Sequence, residues 1–145
     1  GTIPAGRTCE EFASNAVDFA STFCDVAGVE TPETFQGVSL LPSACGSGTT
    51  GREDIYATYH GNQFGSYSER MVRNRTHKYV WSATAGDELY DLEKDPGELT
   101  NRIADPSCAD VLRALRRRVV AWMEHTGDTL LNKSIRAQLE GERIV

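Results

Sequence analysis

Residues 88–101 read Glu88-Leu89-Tyr90-Asp91-Leu92-Glu93-Lys94-Asp95-Pro96-Gly97-Glu98-Leu99-Thr100-Asn101, and the fold turns on them. Leu89, Tyr90 and Leu92 give a short strand with an apolar face. Asp95-Pro96-Gly97-Glu98 then forces a turn, because proline fixes φ and glycine frees the next residue, so the chain is redirected toward its last helix. Asp91 and Asp95 could bind a cation, but carboxylates that flank a turn are better suited to capping nearby backbone amides. These residues are expected to hold a fold together.

Upstream, residues 54–92 alternate short runs rich in Ile, Tyr, Val and Trp with polar or glycine turns, the pattern of an antiparallel meander. Four strands are predicted, over Asp54 to His60, Tyr67 to Arg73, His77 to Ser82 and Glu88 to Leu92. Tyr56, Tyr59, Tyr67, Tyr79 and Trp81 could form an aromatic binding face, but aromatics on strands more often line the buried side of a sheet. Downstream, Ser107 and Asp110 predict a helix start, and Val111 or Leu112, Leu115, Val119 and Trp122 draw its buried stripe. Arg113, Arg116, Arg117 and Arg118 lie largely off that stripe and read as a solvated face. A further turn or two of helix is expected around Ile135 to Leu139.

At the other end, Thr8-Cys9-Glu10-Glu11 has the form of a capping box, which predicts a helix start. Phe12, Ala16, Phe19, Phe23 and Val26 follow at helical spacing, and Gly28 supplies the stop. Thr31 to Gly51 is broken by proline and glycine and reads as a long connection whose support lies elsewhere.

Composition narrows the function. The 145 residues are 39% hydrophobic and 25% charged, as in a soluble globular domain, and no apolar run approaches the ~20 residues that cross a bilayer. No membrane role is expected. With 15 Lys plus Arg against 21 Asp plus Glu, the net charge of -6 repels a phosphate backbone, so nucleic acid is not an expected partner. Cys9, Cys24, Cys45 and Cys108 are too widely spaced for a metal or redox motif, and His60, His77 and His125 do not cluster with them. Cys24 is expected to pack as a small hydrophobe, while a disulfide through Cys45 or Cys108 is left open. Asn74-Arg75-Thr76 is a glycosylation sequon, meaningful only on a secretory route. No basic and apolar leader precedes Gly1, so either a signal has been removed or the sequence begins inside a longer protein.

The wording inside this pattern is more specific than the pattern. Residues 88–101 closely resemble the "ELYDLxxDPxExxN" segment near the C-terminus of sulfatases, members of the alkaline phosphatase superfamily. Met71-Val72-Arg73 with Lys78-Tyr79-Val80 looks like the family's paired strands, and Gly37-Val38-Ser39-Leu40-Leu41-Pro42 like its "GxSLxP" loop. Asn15 to Gly28 is similar to the family's "xxDLxPTLLDLAG" helix, and Trp122-Met123 before Thr126-Gly127-Asp128 fits its closing helix. The resemblance is to choline-sulfatase-like or arylsulfatase-like members.

The resemblance implies an α+β fold: a four-stranded antiparallel sheet packed by a C-terminal helix, preceded by a helix and a long loop left from the catalytic α/β domain. Residues 1–51 are the expected remnant of that catalytic domain, and residues 52–145 the C-terminal subdomain. It also implies a formylglycine nucleophile made in a C/S-x-P/A-x-R motif beside a calcium or magnesium ion. A hydrated aldehyde supplies the attacking oxygen there, and the ion lowers its pKa and neutralises the sulfuryl oxygens. None of the four cysteines is followed by P/A-x-R, and Ser14-Asn15-Ala16-Val17-Asp18 and Ser107-Cys108-Ala109-Asp110-Val111 lack the arginine. The family's early aspartates and later Asp-Asn or Asp-His pair also have no counterpart.

No catalytic residue and no metal ligand is therefore assigned to this chain. The expected partners are an N-terminal catalytic portion and, in the intact enzyme, a sulfate ester. His60, in Tyr59-His60-Gly61-Asn62, resembles the "YHG" of choline-sulfatase-like members, which marks His60 and Asn62 as candidate substrate-binding residues. Two alternatives stand beside the domain reading: a separate subunit that completes a sulfatase, and a non-enzymatic binding module of the same fold. A homodimer of the isolated chain is also expected, since a bare stripe of phenylalanines seeks cover.

Overall fold

The computed structural model of the chain describes residues 3–61 and 67–141. It divides into two compact units, Gly1–Ile55 and Tyr56–Val145.

In the first unit, helix α1 spans Asn15–Ala27 and the short helix α2 spans Leu41–Cys45. The capping box expected at Thr8 does not form a helix start. The Glu11 carboxylate instead accepts from the hydroxyls of Thr49 and Thr50, at 2.7 and 3.1 Å. The helix begins six residues later, where the Asp18 carboxylate reaches back to the N–H of the N-cap residue Ser14 at 2.6 Å. That contact is the reciprocal half of a capping box, displaced toward Asp18. At the far end Gly28 adopts a left-handed conformation, φ 67°, and closes the helix as expected.

The faces of α1 reverse the usual order. Asp18 and Ser21 are buried, while Phe19 is 49% and Phe23 69% exposed. The polar side is taken by the connection that follows. The N–H of Val38 donates to Asp18 at 3.0 Å, that of Leu40 to the Thr22 hydroxyl at 2.9 Å, and the Ser21 hydroxyl to the Gly37 carbonyl at 3.0 Å. Arg52 adds a two-pronged ion pair to Asp18. Gly37 makes the approach feasible, since a Cβ there would lie 2.2 Å from the Val17 carbonyl oxygen. The long connection is thus supported within its own unit, which corrects the expectation from its lack of periodicity.

In the second unit the strands are β1 (Ile55–Gly61), β2 (Tyr67–Arg73), β3 (His77–Ser82) and β4 (Glu88–Asp91), in the sheet order β1-β2-β3-β4. β2 and β3 pair antiparallel with Val72 opposite Tyr79, and β3 pairs β4 with Tyr79 opposite Leu89. That register lines up Val72, Tyr79, Trp81 and Leu89, all fully buried, on one face. A 3-10 turn at Pro106–Cys108 leads into α3 (Ala109–His125), and α4 (Lys133–Glu140) closes the unit. Leu115, Val119, Val120 and Met123 of α3, with Cys108 and Leu139, complete the core against that face.

Three details differ from the sequence reading. Ser107 does not cap α3, whose N-cap is Cys108 without a side-chain bond; Asp105 instead caps the preceding 3-10 turn, its carboxylate accepting from the Ser107 N–H at 2.8 Å. Trp122 is only half-buried and stacks on Tyr56, ring centroids 5.1 Å apart, while Val120 and Met123 point inward. Arg116 is not simply solvated: its guanidinium donates to Asp87 at 2.9 Å and to the Tyr79 hydroxyl at 3.2 Å. Tyr79 donates in turn to Asp87 at 2.6 Å, and its burial, with Asp87 beside it, holds the phenol well above its ordinary pKa.

The turn after β4 is stitched as its carboxylates suggested. Asp91 accepts from the Lys94 N–H at 3.1 Å and Asp95 from that of Thr100 at 2.8 Å. Asn101 then covers the outer edge of β4. Its side-chain oxygen accepts from the N–H groups of Leu89 and Ile103, both at 3.0 Å, and its amide donates to the Asp87 carbonyl at 3.2 Å. The N–H of Arg102 reaches the Leu89 carbonyl at 2.7 Å.

Candidate functional site

The candidate site lies where β1 and β2 meet the end of α3. Strand alternation puts Tyr56 and His60 on the same face of β1, and Tyr56 packs on Trp122 of α3. His60 therefore emerges on the helix-covered face, at the rim. Its ring is exposed, and its Nδ1 lies 3.1 Å from the Ser68 hydroxyl on β2. Tyr59 faces the other way and lies along Gly61, where a Cβ would sit 2.3 Å from the Tyr59 hydroxyl. The Tyr-His-Gly string thus separates two ring positions across the sheet. Asn62, the other candidate, lies outside the described residues.

Beside Ser68 on the same face is Arg70, only 3% exposed at its side chain. A buried guanidinium needs compensation, and Asp128, just past the end of α3, supplies it. Nε of Arg70 donates to one carboxylate oxygen of Asp128 at 2.5 Å, and Nη2 to the other at 3.0 Å. The N–H of Leu130 adds a third contact to Asp128 at 3.0 Å, and Nη1 of Arg70 is satisfied by the Glu69 carbonyl. The guanidinium pair holds the Asp128 carboxyl below its ordinary pKa against the cost of burial, and the nearby His60 acts in the same direction.

Ser68, Arg70 and Asp128 were not singled out from the sequence. The available signal was Arg70, which sits two residues before Val72 on an inward-facing strand position where a charge requires a buried partner.

Among the described residues no three His, Cys, Asp or Glu side chains gather as a metal cage. The carboxylates with shifted pKa have other duties. Burial raises the pKa of Asp18, but Arg52 and the amides of Ser14 and Val38 outweigh it and leave it lowered. Asp91 is lowered chiefly by Lys94, and Asp105 is held at about 2 chiefly by the Ser107 hydroxyl and amide. His77 bonds the neighbouring Thr76 hydroxyl, and His125 ends α3. All four cysteines are free thiols, with Cys108 buried in the core and Cys24 half-buried. Of the aromatic residues, Tyr79 and Trp81 are in the core, whereas Tyr59 and Tyr67 are exposed, so the five do not share one face.

Residues 1–125 match the family described as N-sulphoglucosamine sulphohydrolase, C-terminal. A delta 4,5-hexuronate-2-O-sulfatase of Bacteroides thetaiotaomicron is 33% identical over 115 residues, spanning 77% of this chain and 24% of that protein. A choline-sulfatase of Rhizobium meliloti is 35% identical over 94 residues, 62% of this chain and 18% of that protein. A solved structure described as a complex with its substrate, D-glucosamine-2-N,6-O-disulfate, superposes with a TM-score of 0.77 at 28% identity, covering 88% of this chain and 27% of that one. The chain thus spans between 18% and 27% of each of these relatives.

The lowered carboxylates fix the acid behaviour. A carboxylate whose folded pKa lies below its unfolded value stabilises the fold above the unfolded pKa, and that stability is lost as pH falls through the folded value. Asp18, Asp91, Asp105 and Asp128 all shift this way. The denaturation midpoint should therefore fall as the pH drops below about 4. Asp128→Ala should cost about 3–5 kcal/mol near neutral pH, because it strands the Arg70 charge, and should flatten part of that acid limb. An unchanged midpoint in urea titrations at pH 7 would contradict the role given to the pair.

Proposed function

Because this chain belongs to the N-sulphoglucosamine sulphohydrolase C-terminal family and is a C-terminal sulfatase domain, we propose that it serves a sulfuric ester hydrolase by structure and substrate contact rather than by chemistry. The observation that carries the reading is the family match over residues 1–125, joined to the absence of a C/S-x-P/A-x-R string from the sequence. Formylglycine and a calcium or magnesium ion would belong to the N-terminal catalytic portion, the partner this domain completes. The buried carboxylates here do not fit that ion, since they are committed to Arg, Lys or backbone amides. Residues 1–51 would belong with the catalytic domain and residues 52–145 would form the C-terminal subdomain.

The substrate class is a sulfate ester, as the names of the hexuronate sulfatase and choline-sulfatase relatives support. His60 would line the substrate pocket as a hydrogen-bond donor, and Asn62 is the second substrate-binding candidate. The exposed ring at the rim of the sheet supports this role. In the full-length sulfatase that carries this domain, His60→Ala should raise KM or lower kcat by about tenfold while leaving Tm nearly unchanged, because an exposed strand-end side chain adds little to the core. The substrate for this assay is the best of a panel of glucosamine-6-sulfate, choline sulfate and 4-nitrophenyl sulfate. Unaltered kinetics would remove His60 from the pocket.

The apolar side of α1 supports the partner. Phe19 and Phe23 stack at 6.2 Å in solvent, with Val26 63% exposed one turn on. Burying such side chains stabilises by roughly 1.5–3 kcal/mol each. The catalytic portion would cover them in the whole protein, and a second copy would do so when the chain is alone. Sedimentation of the isolated chain should show a dimer that dissociates on the double change Phe19→Ser and Phe23→Ser; a monomer before the change would rule out pairing through α1.

A further inference from the structure

We infer that Ser68 is a positioning residue for His60, holding its ring so that Nε2–H is presented outward as the donor to substrate. The inference rests on the proposed pocket role of His60 and goes beyond it by naming what orients the ring and which nitrogen acts.

His60 and Ser68 belong to neighbouring strands β1 and β2 and lie on the same sheet face, 3.1 Å apart from Nδ1 to hydroxyl. An exposed imidazole on a strand end would otherwise sample several χ1 and χ2 settings, and one bond to a fixed hydroxyl selects among them. The hydroxyl is fixed because its strand is. Arg70, two residues along β2, is locked into the buried pair with Asp128, and Ala83 donates its N–H to the Ser68 carbonyl at 2.9 Å.

Asp128 is the acidic group near His60, and Arg70 the basic one, but both Asp128 oxygens are already taken by Arg70 and the Leu130 amide. They do not compete for the ring. Either direction of the bond is open to an exposed ring and hydroxyl, whose remaining groups water can satisfy. In the proposed arrangement Ser68 donates its O–H to Nδ1, which leaves the proton on Nε2. Among the described residues no hydrogen-bond partner meets Nε2, so it is available to a ligand.

The test uses the full-length sulfatase carrying this domain. In ¹⁵N-histidine spectra at a pH where the ring is neutral, the His60 signal should report the Nε2–H tautomer, and Ser68→Ala should shift it toward a mixture while Ser68→Thr, which keeps a hydroxyl, restores it. A His60 signal unchanged by Ser68→Ala would overturn the inference whatever the kinetics. With the same sulfate-ester panel, Ser68→Ala should raise KM about three- to tenfold, the scale of one hydrogen bond, with kcat and Tm close to wild type. Combined with His60→Ala it should add nothing further, since the two act as a unit. If His60→Ala raises KM and Ser68→Ala does not, positioning is wrong and the pocket role stands. If His60→Ala itself changes nothing, the pocket role fails and takes the inference with it.

Discussion

A β-sheet must end somewhere, and its last strand exposes backbone groups that need partners. Here the outer edge of β4 is closed by its own downstream chain. Asn101 and Arg102 return to Leu89 and satisfy its N–H and carbonyl as a fifth strand would. To get back there the chain must reverse within a few residues. Asp91 and Asp95 cap the amides of that reversal, and Glu98 accepts a left-handed φ of 54° with its carboxylate held by Lys78. The same turn sends residues 102–108 toward α3, which then seals the face carrying Val72, Tyr79, Trp81 and Leu89. The most recognisable run in the sequence is thus the run on which sheet termination and helix placement both depend.

This explains what the sequence disclosed. Strands were legible because alternation has a period of two and the turns between them carry Gly, Asn and Asp; β2 and β3 match their expected bounds, and β1 and β4 differ by a residue. The α+β arrangement with a C-terminal helix over one sheet face follows from those two facts. The start of α1 was misread because a Thr-x-x-Glu string is only local, whereas Asp18 is drawn into a network with Ser14, Val38 and Arg52 that spans 34 residues of separation. The support of the 31–51 connection was misplaced for the same cause. Periodicity marks the apolar side of a helix as the packing side, and α1 uses its polar side. Within the candidate site, His60 stood out through a resemblance, while Ser68, Arg70 and Asp128 meet only after the strands register and α3 ends.

The two faces of α1 bear on what the domain is for. A helix that buries aspartate and serine while leaving two stacked phenylalanines in solvent is not the arrangement of a self-sufficient core. It fits a domain that shares its cover with the rest of a sulfatase. The second unit, by contrast, has its buried charges paired and its sheet face filled. On the proposed reading the work would divide accordingly: a well-packed sheet holds a rim on which a histidine stands, and the bond chemistry would fall to the catalytic portion.

That division is most directly tested by assaying the chain alone. Purified and incubated with 4-nitrophenyl sulfate, with or without calcium or magnesium, it should release nitrophenol no faster than a heat-killed control, since it carries neither a formylglycine motif nor the accompanying acidic ligands. Turnover clearly above that control would show that the chain holds a nucleophile of its own, and the assignment of chemistry to a separate catalytic portion would be wrong.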